Sequence, residues 1–210
     1  MALLHRADLT PSKLELLNAW LPTRSWYTGP AEPDLAKVGA FRLDDPAGAV
    51  GVETMLVRAG DGPVLQVPLT YRDAPLAGAE RWLIGTTEHS VLGTRWVYDA
   101  AGDPVYAAAL ATIILTGAGQ AVEEFEVDGV RQARANELQA TGSGRAGAAV
   151  PAVTGVLRVA DTDPTLIATD SLNLTVIRVL TDDPAVPDGA PTLTATWPGS
   201  VTARLLACAG

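Results

Sequence analysis

Glu80, His89, Asp99 and Asp103 are among the residues between positions 64 and 104 whose types could do chemistry. A Glu, a His and a second carboxylate that converge can take and return a proton, which is what general acid–base catalysis requires. Arg81, Trp82, Arg95 and Trp96 lie among them, and Trp26 and Tyr27 stand earlier in the chain. Such a set suits a saccharide. A sugar ring has apolar C–H faces that stack on an aromatic ring and a rim of hydroxyls that carboxylates and Arg can hold. The ligand or partner surface expected from the sequence is therefore Glu80, Arg81, Trp82, His89, Arg95, Trp96, Trp26 and Tyr27. A plainer account uses the same residues: tryptophans in the core, Asp103 as a helix cap, Asp99 in a turn, His89 in a loop and the charges as a solvated rim. Spacing alone does not choose between the two, and no residue is assigned as catalytic.

Other chemistries lack their signatures. No GxSxG is present, so there is no hydrolase elbow. His5 and His89 are far apart and no Cys/His spacing suits a metal. Gly142, Gly144 and Gly147 in TGSGRAG loosely resemble a phosphate loop but lack the Lys that would follow. Cys208 is the single cysteine and reads as a small hydrophobe. No cofactor and no metal is expected.

The elements that must position these residues can be read along the chain. At 210 residues, 48% apolar and 19% charged, the chain can bury a substantial core. A net charge of -9 argues against nucleic acid and anionic membrane as partners, because both need a basic surface. No run approaches a signal peptide or a membrane span, so a cytoplasmic protein is expected. Residues 11–21 predict a helix, with Thr10 as N-cap, Pro11 at the first position, and Leu14, Leu17, Trp20 and Leu21 on one face. A loop follows, with room for one helical turn near Asp34. Two strands then flank a turn at Asp45–Gly48, and Asp61-Gly62-Pro63 marks a hairpin into VLQVPLTYRD. Pro68 inside that strand predicts an edge position or a bulge. TRWVYD reads as a strand with Trp96 and Tyr98 on one face. Asp103 caps a second helix over 104–116, stopped by Gly117 and Gly119. Asp128-Gly129 predicts a hairpin. Residues 140–152 read as a flexible Gly/Ala loop and a domain boundary. VTGVLRVA, LNLTVIRVL, PTLTATW and VTARLLA then suit a small antiparallel sheet.

Trp20-Leu21-Pro22, Ser25-Trp26-Tyr27, Val67-Pro68-Leu69, Tyr98-Asp99 and Asp103-Pro104 together resemble the N-terminal cap domain of actinobacterial maltokinases and related aminosugar kinases. The likeness runs from residue 3 to about 115 and is closest to stand-alone proteins that carry the cap without a kinase. It implies an α+β fold: a cystatin-like helix packed on a curved antiparallel sheet, followed by a small β-rich C-terminal part. It also implies a division into a cap-like domain at 1–125 and an intermediate-like part at 126–210. The motif departs from the family where Thr28-Gly29-Pro30 carries no Lys. No Lys follows Lys37, and Arg178 in LTVIRVL is a poor substitute for an ATP-binding lysine. The resemblance thus implies a kinase-associated fold without kinase chemistry.

Two functions are expected from this. One is a non-catalytic binding or regulatory module near trehalose, glycogen or aminosugar metabolism, whose partner is a sugar kinase, a glucan-metabolism enzyme or a saccharide. The other is a small enzyme acting on a saccharide through Glu80, His89 and Asp99.

Overall fold

The computed structural model describes residues 2–4, 8–127, 130–133, 135–181 and 188–210. In chain order the strands are β1 (Ala2–Leu4), β2 (Leu9–Thr10), β3 (Leu35–Leu43), β4 (Gly51–Ala59), β5 (Val64–Arg72), β6 (Leu83–His89), β7 (Gly93–Asp99), β8 (Glu123–Val127), β9 (Val130–Ala133), β10 (Gln139–Gly142), β11 (Val156–Ala160), β12 (Thr165–Thr169), β13 (Asn173–Val176), β14 (Val179–Leu180), β15 (Thr192–Thr196) and β16 (Arg204–Ala209). Helix α1 (Lys13–Trp20) follows β2 and α2 (Pro104–Thr116) follows β7. The fold is α+β and mostly antiparallel; among the described residues only β1 and β8 pair in parallel. Among the described residues, no helix is long and apolar enough to cross a membrane.

Two sheets build the core. One runs β2-β6-β7-β5-β4-β3, with β14 added beside β5; the other runs β10-β15-β16-β13-β12-β11. Helix α1 covers one face of the first sheet through Leu17, Trp20 and Leu21, against Met55, Val57, Val67 and Leu69. Helix α2 lies between the other face and the second sheet, where Tyr106, Leu110, Ile113 and Ile114 meet Val52 and Leu56 on one side and Ile167, Leu193 and Leu206 on the other. A helix that is apolar all round is the expected filling of such a site. This arrangement also explains β4. Six consecutive residues, Val52–Val57, are buried because both faces of that strand are covered.

Both predicted helices form, with one difference at the start of the first. Ser12, not Thr10, is the N-cap: its hydroxyl accepts from Glu15 N and the Glu15 carboxylate accepts from Ser12 N. Ser12-Lys13-Leu14-Glu15 is a capping box and satisfies two orphan donors at once, which Thr10 cannot do. Thr10 instead pairs with Glu88 in β2. Asp103 caps α2 as expected, and Gly117 ends it in the left-handed region at φ 67°. No helical turn forms near Asp34; β3 begins at Leu35, opposite Ala59. The turns at Asp45–Gly48 and Asp61-Gly62 form, closed by Gly48 N donating to Asp45 O and Gly62 N to Ala59 O.

Pro68 corrects a strand reading. Strand β5 lies inside its sheet, paired with β4 on one side and with β7 and β14 on the other. On that second side β14 reaches only to Leu65 and β7 begins only at Leu69. Gln66 N donates across that side to Arg178 O, so the next N–H of the same parity, the one Pro68 lacks, faces the gap between the two neighbours. No ladder bond is lost there.

The glycine-rich segment after residue 139 begins as sheet. Strand β10 pairs with β15, and Gly144 N and Arg145 N donate to Ile114 O and Leu115 O at the end of α2. A Cβ on Gly142 would lie 1.9 Å from Ile113 O, and one on Gly144 2.0 Å from Leu115 O. The glycines there allow backbone to meet backbone. Strands β8 and β9 pair antiparallel. The Asp128-Gly129 turn between them, His5 and residues 182–187 lie outside the described residues.

The run LNLTVIRVL does not make one strand. Asn173–Val176 belong to the second sheet and Val179–Leu180 to the first, so the chain crosses between sheets at Ile177 and Arg178. Strand β12, TLIAT, is an element that the sequence reading did not single out.

Candidate functional site

The loop between β5 and β6 ends in a 3-10 turn at Glu80–Trp82. Trp82 is buried there, 5% exposed, with its indole against Gly102, where a Cβ would stand 2.1 Å from the ring. The Arg81 guanidinium sits 4.5 Å from the centroid of the same ring. Glu80 is exposed, and its Oε1 accepts from Gly78 N at 3.0 Å. Backbone hydrogen bonds, from its own amide and from Gly78, hold the Glu80 carboxyl below its usual value. Beside this corner is a cleft of about 200 Å³ lined by Leu76–Ala79, Gly102, Pro104 and Val156.

His89 and Arg95 stand at the other end of β6. Six residue steps separate Leu83 from His89, about 20 Å at the rise of an extended strand. His89 Nδ1 accepts from Val91 N at 3.2 Å and from Leu92 N at 3.1 Å, and Arg95 Nη2 donates to Leu92 O at 2.7 Å. Both side chains shape the β6–β7 hairpin. Trp96 is half-buried against the larger core, in register with Thr86 and Arg72. The structure therefore brings Glu80, Arg81 and Trp82 together, brings His89 and Arg95 together elsewhere, and does not join the two groups.

Trp26 and Tyr27 belong to a third place. Trp26 is buried, edge-on to Trp20 at 6.2 Å between centroids, and its Nε1 donates to Asp161 Oδ1 at 2.9 Å. Arg24 pairs with the same carboxylate at 3.2 Å and Ser25 Oγ donates to Asp161 O at 2.8 Å. Three consecutive residues thus hold one acidic residue of the C-terminal half. Tyr27 is half-buried and donates to Pro30 O at 3.1 Å; partial desolvation raises its phenol above the usual range.

The carboxylates of the Tyr-Asp and Asp-Pro motifs are likewise engaged inside the protein. Arg178 Nη2 donates to both oxygens of Asp99, at 3.0 and 2.8 Å, and both side chains are fully buried. Arg178 Nε donates to Thr165, its backbone N to Asp163, and its guanidinium lies 5.1 Å from the centroid of Trp26. Nη1 has no hydrogen-bond partner among the described residues. Asp103 accepts from Val105 N at the start of α2, from Thr70 Oγ1 at 2.8 Å, and from two nitrogens of Arg72 at 2.7 Å each.

Sequence reasoning missed Arg178 and Asp161 as partners. The available signal was an Arg inside the apolar run LTVIRVL, since a buried cation needs a buried carboxylate. Glu53 was missed too. It is 5% exposed between Lys13, Arg42 and the Tyr71 hydroxyl. Burial pushes its carboxyl up, but the charges of Lys13 and Arg42 outweigh that and bring it to about 2. Among the described residues, no group of three His, Cys, Asp or Glu is placed to hold a metal ion.

A family model described as the maltokinase N-terminal cap domain matches residues 20–103. A comparison with curated proteins found no match.

Proposed function

We propose, from the match of residues 20–103 to the maltokinase N-terminal cap domain family, that this protein is a non-catalytic binding or regulatory module acting near trehalose, glycogen or aminosugar metabolism. Its partner is a sugar kinase, a glucan-metabolism enzyme or a saccharide, met in the cytoplasm. Residues 1–125 are the cap-like part, α1 on its sheet being the cystatin-like unit; residues 126–210 are the β-rich part.

One observation supports a non-catalytic reading above the others. The polar residues of the family-like motifs point into the protein's own joints: Trp26 to Asp161, Asp99 to Arg178, Asp103 to Arg72 and Thr70. A group sealed in a buried pair is out of a substrate's reach, whatever lone pairs it keeps. Arg178 is enclosed by Asp99, Thr165 and Trp26, and its unpartnered Nη1 is buried with the rest of the side chain, so it is not open to a nucleotide phosphate. The binding surface is the exposed Glu80 and Arg81, over buried Trp82, with the adjacent cleft.

The second reading, an enzyme using Glu80, His89 and Asp99, would need those groups to converge. Asp99 is sealed in its ion pair, and Glu80 and His89 flank opposite ends of β6. The test is direct. Purified protein is incubated with magnesium-ATP and maltose, trehalose or glucosamine, and separately used to retrieve partners from its native host. Retrieval of a sugar kinase or glucan enzyme with no product formed supports the module. Steady turnover of any of these sugars by the protein alone overturns it in favour of the enzyme.

A further inference from the structure

We propose that one internal water molecule is built into the joint between the two sheets, accepting from Arg178 Nη1 and bonded in turn to the Tyr106 hydroxyl. The site serves the fold whichever partner the chain meets.

A guanidinium has five N–H donors, all in its plane. Three of those on Arg178 are taken: Nε donates to Thr165 Oγ1 at 2.8 Å, and Nη2 donates to Asp99 Oδ1 at 3.0 Å and to Oδ2 at 2.8 Å. The two on Nη1 have no acceptor among the described residues, although the side chain is 0% exposed. Trp26 does not replace one. Its ring centroid lies 5.1 Å from the guanidinium carbon, and a ring face is a far weaker acceptor than an oxygen. Buried polar groups in folded proteins are nearly all bonded, and an unbonded donor on a charged group is among the costliest exceptions. The residue is also held in place. Arg178 N donates to Asp163 Oδ1 and Arg178 O accepts from Gln66 N, so the backbone is fixed at the crossover between β13 and β14.

Tyr106 on α2 supplies the second partner. It is 2% exposed. Burial pushes its phenol up, the charge of Arg178 pulls it down and that of Asp99 raises it again, so the hydroxyl stays protonated and stands near both members of the ion pair. Neither member bonds it: Asp99 is engaged with Ala101 N and Arg178, and Arg178 with Asp99 and Thr165. Two polar groups that are close but not in direct contact are what a single water bridges. A phenol both donates and accepts, so it completes the bridge whichever way the water's protons turn.

The occupant has to be a small, neutral acceptor. Asp99 already neutralises the guanidinium, and two further carboxylates are bonded to its surroundings, Asp161 to Trp26 Nε1 and Asp163 to Arg178 N. An anion would bring another negative charge into a paired and desolvated place, where burial costs more than the added attraction returns. A cation would set donors against donors. Water meets each requirement, and buried waters typically collect about three bonds from such orphaned groups.

The test is a crystal structure of the full chain at a resolution that shows ordered water, with a second crystal soaked in sodium bromide. The expected result is one ordered water roughly 2.7–3.2 Å from both Arg178 Nη1 and Tyr106 Oη, with no anomalous signal there. An anomalous bromide peak at that place means an anion and overturns the proposal. So does a protein oxygen bonded directly to Nη1, or a Nη1 with no density beside it. Oxygen-17 relaxation dispersion of water reads the same site in solution. Tyr106→Phe removes one of the water's partners, so the slowly exchanging signal should fall by about one water molecule. Tyr27→Phe, whose hydroxyl bonds Pro30 O instead, should leave the signal unchanged. Equal dispersion in the wild-type chain and in Tyr106→Phe sinks the bridge, and a fall of the same size in Tyr27→Phe sinks it too.

Discussion

At the scale of single residues, the charged groups of this protein hold it together. Glu53 is the clearest case. Its folded carboxyl lies at about 2 against a reference value of 4.5, so its stabilisation is complete above the unfolded value and is lost as pH falls from about 4.5 toward 2. The separation corresponds to on the order of 3 kcal/mol. Glu53→Gln should therefore lower the urea midpoint at pH 7 and flatten the acid limb of a stability–pH curve; an unchanged acid limb would show that Lys13 and Arg42 do not stabilise the ionised form. The Asp99–Arg178 pair should behave more severely. Arg178→Met leaves a fully buried carboxylate without its cation, a loss of roughly 3–5 kcal/mol. Arg178→Lys should rescue little, because a lysine cannot make the Nε bond to Thr165 together with the contacts to Asp99. Chemical denaturation monitored by tryptophan fluorescence reports both, since Trp26 lies under the guanidinium.

At the scale of elements, two features are sensitive to conservative-looking changes for opposite reasons, one needing a side chain and the other needing none. Helix α1 depends on Ser12, so Ser12→Ala should cost about 1 kcal/mol while Thr10→Ala costs less. The junction of α2 with the segment after β10 depends on having no side chains. Gly142→Ala must displace Ile113 O, which is helix backbone and not a movable side chain, so destabilisation of roughly 2 kcal/mol or more is expected in thermal melts. Gly147→Ala, which meets nothing within 4 Å but has φ 78°, should cost about 1 kcal/mol from backbone strain alone. Equal effects at the two positions would contradict the backbone-to-backbone contact.

At the scale of the molecule, the larger core draws on both ends of the sequence: Phe41, Val52, Tyr98 and Leu110 pack with Leu138, Ile167, Leu193 and Leu206. The crossover at Ile177 and Arg178 ties the sheets further, since Gln66 N and Nε2 donate to the carbonyls of Arg178, Ile177 and Leu206. One cooperative transition is expected, with far-UV circular dichroism and tryptophan fluorescence giving coincident urea curves. Two separated transitions would mean that the C-terminal sheet melts independently of the cap.

Local pattern was sufficient for much of the architecture. The helical spacing of Leu17, Trp20 and Leu21, the Asp103-Pro104 start of α2, the Gly117 stop and the turns at Asp45 and Asp61 were all legible, because each is fixed by contacts within a few residues. The motifs around Trp26, Asp99 and Asp103 likewise pointed to the cap family that the comparison found. Where a side chain points across the fold was not legible. Pro68 sits in an interior strand because two neighbours leave a gap on its N–H side, which no local pattern encodes. His89 and Glu80 are nine positions apart, and a strand between them, not a turn, decides that they do not meet. Asp99 does shape the turn after β7, accepting from Ala101 N, but its ion pair with Arg178, far along the chain, was not legible. Local sequence sets the elements through short-range sterics and capping; the tertiary structure alone assigns partners to buried charges, because desolvation makes an unpaired charge too costly to leave where the chain folds over it.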